Sequence, residues 1–288
     1  MPRPRALAPL RWLPLFAALL LLGACSRLDL AYRNLDWLIP WSIGDYVSLH
    51  KAQRAWLEPR IQAHLRWHCS TQLPRYAAWL QEVETLGQAE RLDAGQLLEH
   101  MQGFKEAIDA VAVEITPTSV SLLQGLDPEQ VEELDASLDE KERKLRKEHL
   151  TPRDEQVEQR RERMEKRLKP WFGMLSAQQQ AKVDAWAESL GDSNLLWVDN
   201  RRLWQSALRS ALAERDSQDF APRVAALLQD REAFWSDAYR AHFERGQVTL
   251  SQLLADLFNA SSASQRERLR SRLHDLQQDI RQLQCPTA

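Results

Sequence analysis

The sequence predicts an all-α protein: an elongated multi-helix bundle with a protruding charged helical hairpin. Three observations carry this expectation. Only nine glycines occur in 288 residues. Apolar residues recur at helical spacing, with no sustained alternation of apolar and polar residues. One helix-start signature also recurs along the chain. The clearest apolar stripe comes near the end, where Leu269, Leu273, Leu276, Ile280 and Leu283 step by four and three, the pattern of a helix packed in a bundle.

Taken from the start, residues 1–24 contain Arg3, Arg5 and Arg11, no acid, and the apolar run from Leu13 to Leu22. This is the basic and then apolar order of a secretory signal peptide, and the run is shorter than the ~20 residues of a permanent membrane span. It stops at Leu22-Gly23-Ala24-Cys25, which resembles the lipobox of bacterial lipoproteins. The resemblance implies diacylglycerol on the Cys25 sulfur, cleavage before Cys25 and acylation of the new amine. Two or more acyl chains anchor a protein stably where one does not. In that class an aspartate after the cysteine favours the inner membrane. Ser26 stands there, so the expected site is the inner leaflet of the outer membrane, with the domain in the periplasm. The alternative is an ordinary signal peptide with an incidental cysteine.

Residues 25–45 form a lipidated N-terminal segment in this reading, and residues 46–288 a single all-α domain. The segment is rich in aromatic residues, with Tyr32, Trp37 and Trp41 around Leu38, Ile39 and Pro40, and Tyr46 just beyond. It either lies against lipid headgroups or straps back over the helical core. The helices that follow are expected near 46–69, 72–90, 93–114, 127–149, 152–170, 176–190, 194–214, 218–245, 249–259 and 264–284. Their starts are marked at Asp93, Asp127, Ser176, Thr249 and Ser264. The first four are each followed three residues later by Gln, and Ser264 by Glu267. Such capping boxes satisfy backbone donors that a helix start leaves unpaired.

Residues 139–169 are dominated by Asp, Glu, Lys and Arg. The apolar positions in and around them form a narrow stripe: Val131, Leu134, Leu138 and Leu145, then Leu150, Val157, Met164 and Trp171 at intervals of seven. A narrow stripe with solvated charge elsewhere suits two helices that touch each other and little else. Thr151-Pro152 separates them, either as the turn of a hairpin or as a kink in one long helix. The cations Arg143, Lys147, Arg160 and Arg163 on this hairpin are the candidate interaction residues.

Removing three arginines with the signal shifts the formal charge from −3 to −6, which gives no electrostatic reason to bind nucleic acid. Two cysteines remain, Cys69 and Cys285. In an oxidising compartment an even pair favours a disulfide, with two buried thiols as the alternative. His64 and His68 stand four apart beside Cys69, with His50 upstream. That spacing can hold a metal, but the sequence lacks the glutamate of a His-Glu-x-x-His motif, so packing histidines are expected and no metal. Ten tryptophans follow the signal, among them Trp56, Trp79, Trp186, Trp197, Trp204 and Trp235. They fit core packing, or a sugar-binding platform if their rings face solvent. No nucleotide loop, nucleophile elbow or metal-hydrolase motif occurs, so no enzyme is expected, and no cofactor beyond covalent lipid on Cys25.

Two resemblances add to this. Tyr32-Arg33-Asn34-Leu35-Asp36-Trp37-Leu38, His64-Leu65-Arg66-Trp67-His68-Cys69 and Leu73-Pro74-Arg75-Tyr76-Ala77 resemble an uncharacterised family of proteobacterial lipoproteins, which implies the envelope location and a helical fold. The capping boxes are similar to the Leu-Thr-x-x-Gln repeats of small periplasmic stress chaperones related to Spy and CpxP. Asp127 and Ser176 replace the Thr here, and capping alone explains the pattern. The expected role is a lipid-anchored, non-enzymatic helical protein. Its partners are the membrane, through the anchor, and another envelope protein or unfolded client, through the hairpin. A module binding envelope glycans or lipids is the alternative.

Overall fold

The computed structural model describes residues 32–283 and 285; the expected signal peptide and Cys25 lie outside them. Among the described residues every regular element is helical: α1 Leu35–Gly44, α2 Lys51–Trp67, α3 Leu73–Leu86, α4 Ala94–Gln124, α5 Pro128–His149, α6 Arg153–Phe172, α7 Ala177–Ser189, α8 Ser193–Ala213, α9 Phe220–Gln229, α10 Asp237–Asn259 and α11 Ala263–Gln282. A π-helical turn, His68–Gln72, joins α2 to α3. A 3₁₀ turn, Arg231–Phe234, precedes α10. None of these helices is long and apolar enough to cross a membrane.

Three of the five marked helix starts, at Asp93, Asp127 and Ser176, fall where the sequence put them. Asp127 and Ser176 accept from the backbone N–H groups of Gln130 and Gln179, and those glutamines reach back to the cap. Asp93 caps α4. The box of α11 is Ser262 with Gln265, two residues earlier than the sequence placed it.

Three elements differ from expectation. Thr249 lies inside α10, where its hydroxyl donates to the Gly246 carbonyl. The break falls instead at 230–236, and Ser236 caps α10. The continuous burial of Leu253 and Leu257 outweighs a local start signal. Helix α4 runs through Pro117 to Gln124 although it was expected to end near 114. A proline forfeits one backbone hydrogen bond, but Thr116 stays in the helix, buried, with its hydroxyl bonded to the Ala112 carbonyl. Helix α1 forms around Pro40 because Leu35, Ile39 and Ile43 pack against the core.

Two cores share the molecule. The first joins Leu57, Ile61 and Leu65 of α2 to Leu134 and Leu138 of α5, Leu208 and Leu212 of α8, and Phe220, Val224 and Leu227 of α9. The second joins Met164, Leu168 and Phe172 of α6 to Val183 of α7 and Leu253 and Leu257 of α10. A small cluster of Tyr32, Cys69 and Leu73, with Ile280 and Leu283 against it, ties the two ends of the described chain together. There Cys69 and Cys285 form a disulfide, their Cα atoms 5.5 Å apart.

The charged segment breaks between His149 and Arg153, as two helices rather than one kinked helix. Its stripes are anchored to the body, not to each other. Helix α5 packs mainly on α8, and α6 on α7 and α11. Leu134 and Leu138 enter the first core, and Met164 and Leu168 the second.

Candidate functional site

Of the four expected interaction cations, Arg143, Lys147 and Arg163 are exposed. Arg160 is not a surface contact residue: it is only 4 % exposed. It lies one turn before Met164 and two before Leu168, in phase with the buried face of α6. Its Nη1 donates to the Ala187 carbonyl at 3.3 Å, and its Nη2 to Asn194 Oδ1 at 3.0 Å and Gln156 Oε1 at 3.2 Å. Ala187 stands in the last turn of α7, so the guanidinium meets the negative end of that helix dipole. Burial, and then the neighbouring Arg153 and Arg163, push its pKa down.

Asn194, held by Arg160, opens onto a groove of about 430 Å³ between α4, α8 and α10. Ligand sites commonly fall in this size range. Met101 comes from α4, Trp197 from α8, and Tyr239, Phe243 and Leu250 from α10. Three rings of the α10 region pack together: Trp235 meets Phe243 at 4.7 Å and Tyr239 edge-on at 5.2 Å between centroids. Across the groove Trp197 meets His149 edge-on at 5.4 Å. Trp197 and Phe243 are each 37 % exposed, and Phe104, one turn beyond Met101 on α4, is more exposed still. Gly246 also lines the groove, and a Cβ added there would meet nothing within 4 Å.

The polar groups divide into two kinds. Asn194 is committed within the protein, since its Nδ2 also donates to the His149 carbonyl at 2.7 Å. His242 and Gln247 line the groove with side chains that make no hydrogen bond to described residues. Burial, and then Arg245 and Arg160, push the His242 pKa down, so its ring is neutral near pH 7, with one donor and one acceptor. The groove therefore offers apolar and aromatic walls with two hydrogen-bonding side chains available.

The histidines weighed for metal go elsewhere. His64 bonds Glu114 at 2.9 Å and Thr118 at 2.8 Å. His68 sits between the Tyr32 hydroxyl at 3.1 Å and the Tyr76 hydroxyl at 3.2 Å. His50 caps α2 and meets Asp127 at 2.6 Å. No group of three potential ligands occurs among the described residues.

Sequence reading did not find the groove. It offered Trp197 and Trp235 core packing first and a solvent-facing platform as the alternative, without saying which rings face outward, and no local pattern joins Met101 to Trp197 and Phe243. The available signal was aromatic spacing on α10, where Tyr239 and Phe243 stand four apart and in phase with Gly246 and Leu250.

No curated protein and no solved structure matches the chain. The family model described as Family of unknown function (DUF6279) matches residues 45–240, from just before α2 into the first turn of α10. With more than half of its length inside that match, the chain belongs to this family of unknown function.

Proposed function

We propose that the chain is a lipid-anchored, non-enzymatic envelope protein that binds the apolar part of an amphiphile in the groove between α4, α8 and α10. In this reading acyl chains on Cys25 hold it at the inner leaflet of the outer membrane, and the helical domain stands in the periplasm. The solvent-facing rings of Trp197 and Phe243 are the observation that carries the binding role. Monomeric proteins rarely leave clustered rings exposed without a binding use. An alkyl chain suits the site better than a sugar. A sugar ring asks for several hydrogen bonds around its edge, and here Asn194 is already committed.

The test uses lauric acid and a lysophospholipid as probes, with binding followed by calorimetry. Gly246→Trp fills the groove where a Cβ has open space, so the fold is retained and binding is lost. Trp197→Ala weakens binding about tenfold, which corresponds to ~1.4 kcal/mol. Unchanged affinity in both variants overturns the reading. Binding of an unfolded polypeptide in place of the amphiphiles, blocked by Gly246→Trp, would replace it with a chaperone-like role. The anchor is tested separately: fatty-acid labelling is expected in the wild type and lost in Cys25→Ser, and equal labelling overturns it.

A further inference from the structure

Helix α1 is apolar on two sides, and only one of them is used. Leu35, Ile39 and Ile43, four residues apart, pack against the first core. Trp37 and Trp41 follow two residues behind Leu35 and Ile39, a rotation of about 200° on an α-helix, and are 54 % and 61 % exposed. Gly44 continues their line, and a Cβ there would meet nothing within 4 Å. The Trp37 indole N–H donates to Asn34 Oδ1 at 3.0 Å, whereas the Trp41 indole N–H bonds to no described residue. Packing explains the inner stripe but not two large rings held outward on a helix fixed to the body.

We infer that Trp37 and Trp41 sit in the headgroup layer of the membrane that holds the chain, so that α1 fixes the orientation of the domain on the bilayer. This rests on the anchoring reading, because the seven-residue step from Cys25 to Tyr32 reaches at most about 25 Å. Whichever surface carries the acyl chains, the face around Tyr32 and α1 is kept within that distance of it. Indole is the side chain that favours this layer: an apolar body with one donor for a phosphate or carbonyl oxygen. The contact is not electrostatic, since no basic residue occurs in Leu35–Gly44 while Asp36 does. It is therefore insensitive to anionic lipid content and to salt.

The experiment reconstitutes the lipidated full chain in phosphatidylethanolamine–phosphatidylglycerol vesicles whose acyl chains carry bromine near the headgroup, and measures tryptophan quenching. The wild type is expected to show a quenched component that Trp37→Ala/Trp41→Ala loses, at equal melting temperature and equal flotation with the vesicles. Equal quenching in the two proteins overturns the inference while leaving the anchor standing. A chain that carries no fatty-acid label and does not float overturns the anchor. In that case the inference falls with it, because nothing then keeps α1 within reach of a bilayer. Quenching that disappears at high salt or without phosphatidylglycerol also overturns it, because the contact would then be ionic.

Discussion

At the scale of single residues, charge type alone did not tell which cation faces inward. Arg143, Lys147, Arg160 and Arg163 look alike in the sequence, yet only Arg160 is buried. The residue was legible in retrospect at a spacing of four, with Met164 and Leu168. A spacing of seven through Val157, Met164 and Trp171 hid it. Arg160→Ala should lower unfolding free energy by about 2–4 kcal/mol, because in a buried site it takes the side-chain donor from the Ala187 carbonyl and the shorter of two donors from Asn194 Oδ1. Charge reversal at Arg143, Lys147 and Arg163 should change it by no more than about 0.5 kcal/mol. Urea titration of the two variants decides, and equal losses would contradict the placement of Arg160. A pH effect belongs to His68, whose pKa burial lowers from its ordinary 6.5. Unfolding restores the ordinary value, so the unfolded chain binds more protons below pH 6.5. The contribution of neutral His68 is full above that pH and falls as pH drops towards the lowered value. His68→Gln should therefore flatten the loss of melting temperature between pH 7 and pH 5.

At the scale of elements, the boxes at Asp127 and Ser176 were readable because each needs only four consecutive residues; that of His50 was not, Ser262 was placed two residues late, and Thr249 was a false start. What they do beyond capping was not readable, because it depends on which starts meet. The boxes work in facing pairs. Gln53 of α2 and Gln130 of α5 bond amide to amide at 2.8 and 2.7 Å, each also bonding its own cap backbone. Gln179 of α7 and Gln265 of α11 repeat the arrangement at 2.9 and 3.3 Å. A glutamine in a box thus serves its own helix and the neighbouring one, which leaves the buried amides of Gln130 and Gln179 fully satisfied. Ser176→Ala, which removes a cap hydroxyl alone, should cost about 1 kcal/mol. Gln179→Leu should cost more, about 2 kcal/mol or above, because it also removes the buried amide's bonds to the Leu257 carbonyl and, in both directions, to Gln265. A cost for Gln179→Leu no larger than that for Ser176→Ala would confine its role to its own helix.

At the scale of the whole molecule, helical class and the pairing of Cys69 with Cys285 were legible, the first from periodicity and the second from a cysteine count of two. The groove was not, because its walls come from three helices and its lining runs from Met101 to Leu250, and periodicity gives a helix its inner face without naming its neighbour. The disulfide closes a loop of sequence separation 216, which constrains the unfolded chain by about 5 kcal/mol in the loop-entropy account. Cys285→Ser should lower stability by an amount of that order, with α11 and α3, which pack together, loosening first in hydrogen exchange. The meeting of both ends of the described chain at Tyr32, Cys69 and Leu283 also has a mechanical meaning. Tension drawn through the two termini runs across the covalent bridge, so the chain enclosed between the two cysteines bears no load and lengthens only after reduction. Pulling single molecules should release contour length from the outer segments alone, and reducing agent should add the rest in a separate step.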